Sequence, residues 1–376
     1  MLNLKRVEQI EVQWEEIEQS YRLVPYNTPL NLEEEKGNML TAFAQHKPFN
    51  PNFVYKAFPY TPTTHIHNFI KYLQPESNPI DALYFQIAHR ELLYIESIET
   101  HTPHLITGTT SLRYGLPTNA LVMEASRILT APSSSKPIET CCSPEAVVSQ
   151  LQDVLQKLHL INWQVLTHKP MSAAMSVNHL DKQLKINGAA TFTASDIKRL
   201  QLHEIGVHIL RGENGAYQPI RLFRSGFPSY LATEEGLAVY HEEQAGLLQL
   251  HTLKKYAARI LAAHLSLNQS FNDVFYALTN YLDPPSAFDV VARAKRGFTD
   301  TAQPGTHTKD IVYLQGYLDI KNHLKNNPED YPLLFVGKIG IADLPLVRSL
   351  WEQQLLVSPK FLPQASGIDL QSSFTH

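Results

Sequence analysis

His203 and His208 stand five residues apart, with Glu204 beside the first and Gly206 between them, in a stretch that reads as one helix over 193–212. Thr193 followed by Asp196 makes a capping pattern at its start, and Gly212 marks a stop at its end. Five residues along a regular α-helix turn through about 140°, so the two imidazoles would face different sides; four residues would leave them about 40° apart. For the pair to share one ion, the helix must take an extra residue into its turn. An i→i+5 turn does this, and Gly206 lies where such loosening costs least. The spacing predicts a wide or bulged turn over 203–208.

Two neutral imidazoles leave a tetrahedral zinc needing one more protein ligand and an open position for water. The third ligand is expected 27 residues on, in Thr233-Glu234-Glu235-Gly236-Leu237-Ala238, with Thr233 as N-cap of a helix running to 245. Either glutamate can point at the metal; we take Glu235. Glu204 adjoins the first histidine and is placed to accept a proton from a zinc-bound water, whose pKa the metal brings to about 7. The HExxxH pattern alone is a weak signal, because most helical histidines pack in cores or sit on surfaces.

The rest of the chain limits the alternatives. Its 376 residues are 43% apolar and 18% charged with net charge −4, an ordinary globular balance without the basic field of a nucleic-acid binder. The two cysteines, Cys141 and Cys142, are adjacent, so no disulfide framework and no cysteine metal site is expected. No stretch approaches the roughly 20 apolar residues of a membrane span, and the N-terminus lacks the apolar core of a signal peptide. A cytoplasmic location is expected.

Helical patterns cover 4–20 (read as an exposed amphipathic helix rich in Glu), 31–45, 78–98, parts of 103–130, and 143–159 with Ser143 as N-cap and Pro144 at the first turn. Residues 47–63 read as extended. Short strands are expected in 162–167 and 172–187, with a turn at 179–182, and helices again from 195 to 352. This order predicts an α+β fold, predominantly helical and gluzincin-like, with a small β-sheet preceding the metal-binding helix. The expected organisation is an N-terminal helical and extended segment at 1–75, a catalytic metallopeptidase domain at 76–355 and a loose tail at 356–376.

Three segments in one order carry a resemblance: HEIGVHILRGENG at 203–215, TEEGLA at 233–238, and ARAKRGFTDTAQPGTHTKDIVYLQGY at 292–317, with SLRYGLP at 111–117 upstream. The chain resembles the HExxxH tyrosine carboxypeptidases, whose animal members are microtubule-associated and whose bacterial members are labelled flavohaemoglobin expression-modulating QEGLA-motif proteins. The resemblance implies one zinc ion held by His203, His208 and Glu235, with Glu204 as catalytic acid and base. It also implies hydrolysis of a C-terminal, Tyr-like residue of a peptide or protein. The sequence departs from the label in having Glu234 where QEGLA has Gln.

A carboxypeptidase must bind a free α-carboxylate, and a guanidinium fork suits that task. Arg293, Lys295, Arg296 and Lys309 are the candidates, with Arg211 a further one, and Tyr313 or His307 could donate to the developing oxyanion. The strand around 184–187 could pair with an extended peptide. The alternatives to a carboxypeptidase are an endopeptidase with the same centre and a non-catalytic regulatory protein that keeps the fold.

Overall fold

The computed structural model describes residues 2–363 apart from 22, 59–61, 77, 133–140, 169–170 and 172–173. The expected tail therefore lies mostly outside the described residues. The fold is α+β and predominantly helical, with five short strands ahead of the helix that carries His203 and His208. Among the described residues no helix is long and apolar enough to cross a membrane.

Contacts gather the chain into two units, each built from two separate stretches. The first takes 1–132 and 250–314, the second 133–249 and 315–376. The boundary expected at 75 falls inside the first unit.

The first unit is helical. Asn78 caps the helix Pro79–Thr100 through its side chain, and proline takes the first turn, as the sequence predicts. Helix Asn119–Thr130 packs along Leu250–Ser266, and Pro79–Thr100 along Pro103–Tyr114. The N-terminal helix Leu4–Gln19 is not the exposed helix its glutamates suggest. Val7, Ile10 and Trp14 form a buried stripe at i, i+3, i+7, and Trp14 meets Phe69 at 5.3 Å and Tyr84 at 6.5 Å between ring centroids. Arg6 bonds Asp81, which is fully buried, at 2.6 Å and fastens the start of that helix. Residues 47–58 form no helix or strand apart from an isolated bridge of Asn52 to Asp300, and Phe53 N–H donates to Thr299 O at 3.0 Å.

The second unit carries the sheet. Strands β2 (Gln164–His168), β3 (Met175–Asn178) and β4 (Gln183–Asn187) lie in the order β2-β4-β3, with β2 parallel and β3 antiparallel to β4. Alternation puts Leu184 and Ile186 of β4 on one face, opposite Val165 of β2 and Met175 of β3. Strand β4 is paired on both sides, so it has no edge left for a peptide. A second pair joins β1 (Cys141–Cys142) to β5 (Phe192–Thr193), which the sequence does not announce. Both thiols are free.

Helix Pro144–Lys157, capped by Ser143, lays Val147, Leu151 and Leu155 into the same core as the sheet. Ile205 and Ile209 close that core from the helix that carries His203 and His208. Burying each such side chain stabilises the fold by about 1.5–3 kcal/mol. Trp163 is also enclosed there, and its Nε1–H donates to Glu213 at 3.0 Å, which satisfies the one polar atom of the ring.

Candidate metal centre

The helix that begins at Thr193 changes its winding twice. Thr193 and Asp196 form a reciprocal capping box, and the first seven residues, Ala194–Leu200, are α-helical. Gln201–Ile209 is π-helical, with the Leu210 N–H reaching Ile205 O five residues back, and Leu210–Ala216 is α-helical again. The wide turn required by a five-residue spacing is therefore present and extends beyond 203–208. Gly206 lies inside this stretch. A Cβ there would meet nothing closer than 3.9 Å, so no close approach requires a glycine. Gly212 is no stop either: the helix runs through it to Ala216. Its missing side chain makes room for the His179 ring, which a Cβ would approach to 2.1 Å.

The π turn puts His203 and His208 on one side, with ring centroids 4.9 Å apart. Glu235 comes from the helix Tyr230–Gln244, which starts three residues before Thr233. Thr233 therefore does not cap that helix; its Oγ1 accepts from Ile341 N–H at 2.9 Å instead. Glu235 Oε2 lies 3.3 Å from His203 Nε2 and 3.7 Å from His208 Nε2. One donor atom from each of these three residues lies within 4.8 Å of the others. Glu235 Oε2 is buried and makes no hydrogen bond. A buried carboxylate oxygen facing two ring nitrogens, with nothing to satisfy it, is what a divalent cation would complete. Two nitrogens and one oxygen also leave a tetrahedral ion one open position.

Glu234 faces elsewhere. Its Oε1 is 3.0 Å from His208 Nδ1, its Oε2 accepts from Arg211 Nη1 at 2.8 Å, and Lys338 Nζ is 3.6 Å from Oε1. On the other side of the site, His203 Nδ1 lies 2.8 Å from Glu242 Oε1, which also accepts from Arg199 Nη1 at 3.0 Å. Arg211 is completely buried and also donates from Nε to Leu334 O and from Nη2 to Ile339 O. Its guanidinium is thus engaged in structural bonds and is not a free cation for a substrate carboxylate.

The field of the site favours positive charge. Burial alone lowers the basicity of both histidines, yet Glu235 and Glu242, with Glu204, hold His203 up at about 10. For His208, burial is likewise outweighed by Glu235, Glu234 and Glu204. Burial works against ionised Glu235, and His208 and His203 pull its carboxyl down all the same. Glu204, next to His203 in the π turn, is itself mostly buried.

Glu242, Arg199 and the pairing of Arg211 escape a reading of motifs. A weak signal exists: Glu242 is seven residues after Glu235, so both lie on one helix face, and Arg199 is four before His203.

The remaining candidates belong to the first unit. Arg293 is paired with Asp310, at 2.9 Å through Nη2. Lys295 is fully buried, and its ammonium donates to the carbonyls of Gln303 at 2.7 Å, Gln269 at 2.9 Å, Gly305 at 3.0 Å and Ser266 at 3.4 Å. Three hydrogens facing four carbonyls leave nothing for a substrate carboxylate. Arg296 and Lys309 are half-buried, and their side chains make no hydrogen bond or ion pair among the described residues. Tyr313 stacks on Tyr256 at 5.1 Å with Arg259 over its ring at 4.7 Å. His307 is buried, with Tyr94 Oη 3.4 Å from its Nε2.

Comparison with known proteins places this geometry. Residues 41–372 match the family model described as microtubule-associated tyrosine carboxypeptidase. The chain belongs to that family. It is 33% identical over 215 residues to microtubule-associated tyrosine carboxypeptidase 1 of Homo sapiens, covering 55% of this chain and 41% of that protein. It is 30% identical over 197 residues to the putative tyrosine carboxypeptidase MATCAP2 of Mus musculus, covering 47% of this chain and 36% of that one. The chain thus spans about two fifths of the length of these tyrosine carboxypeptidase relatives. The family match takes in the HEIGVH, TEEGLA and 292–317 segments together.

Proposed function

We propose that this chain is a zinc-dependent carboxypeptidase that removes a C-terminal residue, aromatic and Tyr-like, from a peptide or protein. The observation that carries the reading is the convergence of His203, His208 and Glu235 on one point, with an unsatisfied Glu235 oxygen and Glu204 in the same turn. The preference for a C-terminal tyrosine comes from the names of the relatives.

His203 Nε2, His208 Nε2 and Glu235 Oε2 would hold the zinc. Bound there, zinc would polarise the scissile carbonyl and lower the pKa of its water to about 7. Glu204 takes the proton of the attacking water and returns it to the leaving amine, so one carboxyl serves as base and then acid. Of the cationic candidates read from the sequence, Arg296 and Lys309 make no side-chain hydrogen bond or ion pair among the described residues, and they are kept as candidates for a substrate carboxylate.

The test uses the purified chain and its Glu204→Gln variant. Metal content is measured by elemental analysis, and both proteins are incubated with peptides bearing free C-termini and read by mass spectrometry. Zinc near one per chain with loss of a single C-terminal residue, abolished in the variant, is the expected result. Internal cleavage would make the protein an endopeptidase, and a metal-replete preparation without zinc would overturn the reading.

A further inference from the structure

Both candidate ligand histidines are held from behind in the same way. Each turns Nε2 towards Glu235 and Nδ1 towards a second, buried carboxylate: Glu242 for His203 at 2.8 Å, Glu234 for His208 at 3.0 Å. Each of those carboxylates is gripped by an arginine from the metal-bearing helix. Arg199, four residues before His203, bonds Glu242 at 3.0 Å, and Arg211, three residues after His208, bonds Glu234 at 2.8 Å. Two arginine–glutamate–histidine chains therefore enter the site from opposite ends of one helix.

We infer that Glu242 and Glu234 are positioning residues that fix both imidazoles as the Nδ1–H tautomer, so that both Nε2 lone pairs face the ion. The inference rests on the metallopeptidase reading. An imidazole can bind a metal through either nitrogen, and the hydrogen bond at one decides which lone pair is free at the other. With a carboxylate at each Nδ1, the proton is kept there and the ring cannot swing about its Cβ without losing a charge-assisted bond.

The two chains are not equivalent. Glu234 has both oxygens engaged and Lys338 Nζ at 3.6 Å besides. Glu242 places Oε1 between Arg199 and His203, and its Oε2 is buried without a hydrogen bond. His203 thus leans on a carboxylate balanced by one cation, whereas His208 leans on one balanced by two. Glu242 is the more polarising partner, and its loss should be felt more strongly at the metal.

Glu242 also gives the cleaner test. Its arginine, Arg199, is partly exposed and can turn to water when the carboxylate is removed, whereas Arg211 has no exposure at all. Zinc affinity of the full chain, stripped of metal, is measured in competition with a chromophoric chelator, with thermal melts of the zinc-free proteins as the check on folding. Glu242→Leu is expected to weaken zinc about 10- to 100-fold. Glu242→Gln, whose amide oxygen can still accept from Nδ1–H, should recover part of that loss.

A second measurement needs no variant: ¹⁵N–¹H correlation of the histidine side chains in the zinc-loaded protein should show a proton on Nδ1 of both His203 and His208. Folded Glu242→Leu that binds zinc within threefold of the parent, or either ring carrying its proton on Nε2, would overturn the inference while leaving the zinc site standing. A parent protein that takes up no zinc would overturn both.

Discussion

Gly236 and Gly316 face each other at a distance that admits no side chain on either. A Cβ on Gly236 would lie 2.2 Å from Gly316 O, and one on Gly316 would lie 1.8 Å from Ala232 O. Gly236 follows Glu235 directly, so this contact sets the height of the helix that carries the third candidate ligand. The obstructing atoms are backbone and cannot rotate away. Gly316→Ala should therefore destabilise the protein by about 3 kcal/mol or more and weaken metal retention as well. Chemical denaturation followed by metal analysis of the folded fraction checks both.

Arg211 joins the helix of His203 and His208 to the carbonyls of Leu334 and Ile339 and to Glu234. Removing it leaves a buried carboxylate with one cation fewer and two carbonyls without donors. Arg211→Met is expected to cost about 3–5 kcal/mol in urea unfolding. Arg211→Lys should recover little, since a single ammonium cannot reproduce the guanidinium fork.

The acid limb of stability should carry the mark of His241. It is buried beside Tyr331, with Tyr331 Oη 3.1 Å from its Nε2, and burial pushes its pKa down to about 4. In the unfolded chain the group titrates near its ordinary value of about 6.5. Between these values the unfolded state binds the extra proton, so stability falls as pH drops from about 6.5 towards 4, by on the order of 3 kcal/mol from this one residue. Denaturation midpoints at several pH values should fall along that window, and a folded His241→Gln variant should show a flatter slope.

Lys295 and Arg296 are neighbours that should behave differently. Lys295→Met leaves four carbonyls facing an apolar chain and is expected to cost on the order of 3–5 kcal/mol, without a specific effect on substrate binding in the fraction that remains folded. Arg296→Gln breaks no hydrogen bond or ion pair among the described residues, so the melting temperature should hardly move. A rise in KM for peptides with free C-termini, absent for C-terminally amidated ones, would identify Arg296 as the carboxylate contact. Unchanged KM would shift that role to Lys309.

Local rules explain what could be read beforehand. The capping box at Thr193, the Ser143-Pro144 start and the strand alternation around Leu184 and Ile186 are each decided by a few adjacent residues, and the structure contains them. The wide turn was legible because chelation and regular helical geometry cannot both hold at a spacing of five. Long-range pairing was not legible. Glu242 meets His203 only once two helices have packed, and Arg211 finds Leu334 and Ile339 more than a hundred residues later in the chain. The docking of Leu4–Gln19 was hidden by composition, since its glutamates dominate the text of the helix while Val7, Ile10 and Trp14 decide which face is buried. Gly212 misled for the same reason: a glycine that makes way for the His179 ring reads, out of context, like one that ends a helix.

The π-helical stretch Gln201–Ile209 can also be described at the level of the gene. An α-helix into which one codon is inserted must either rotate everything downstream by about 100° or absorb the newcomer as girth. In this helix the wide turn brings the histidines together while Arg211 and Asn214 reach their carbonyl partners. Chains with a four-residue spacing on an α turn and chains with a five-residue spacing on a π turn each bring two side chains to one helix face. A search that fixes the interval between letters would separate such chains, whereas one that compares where the donor atoms lie would bring them together.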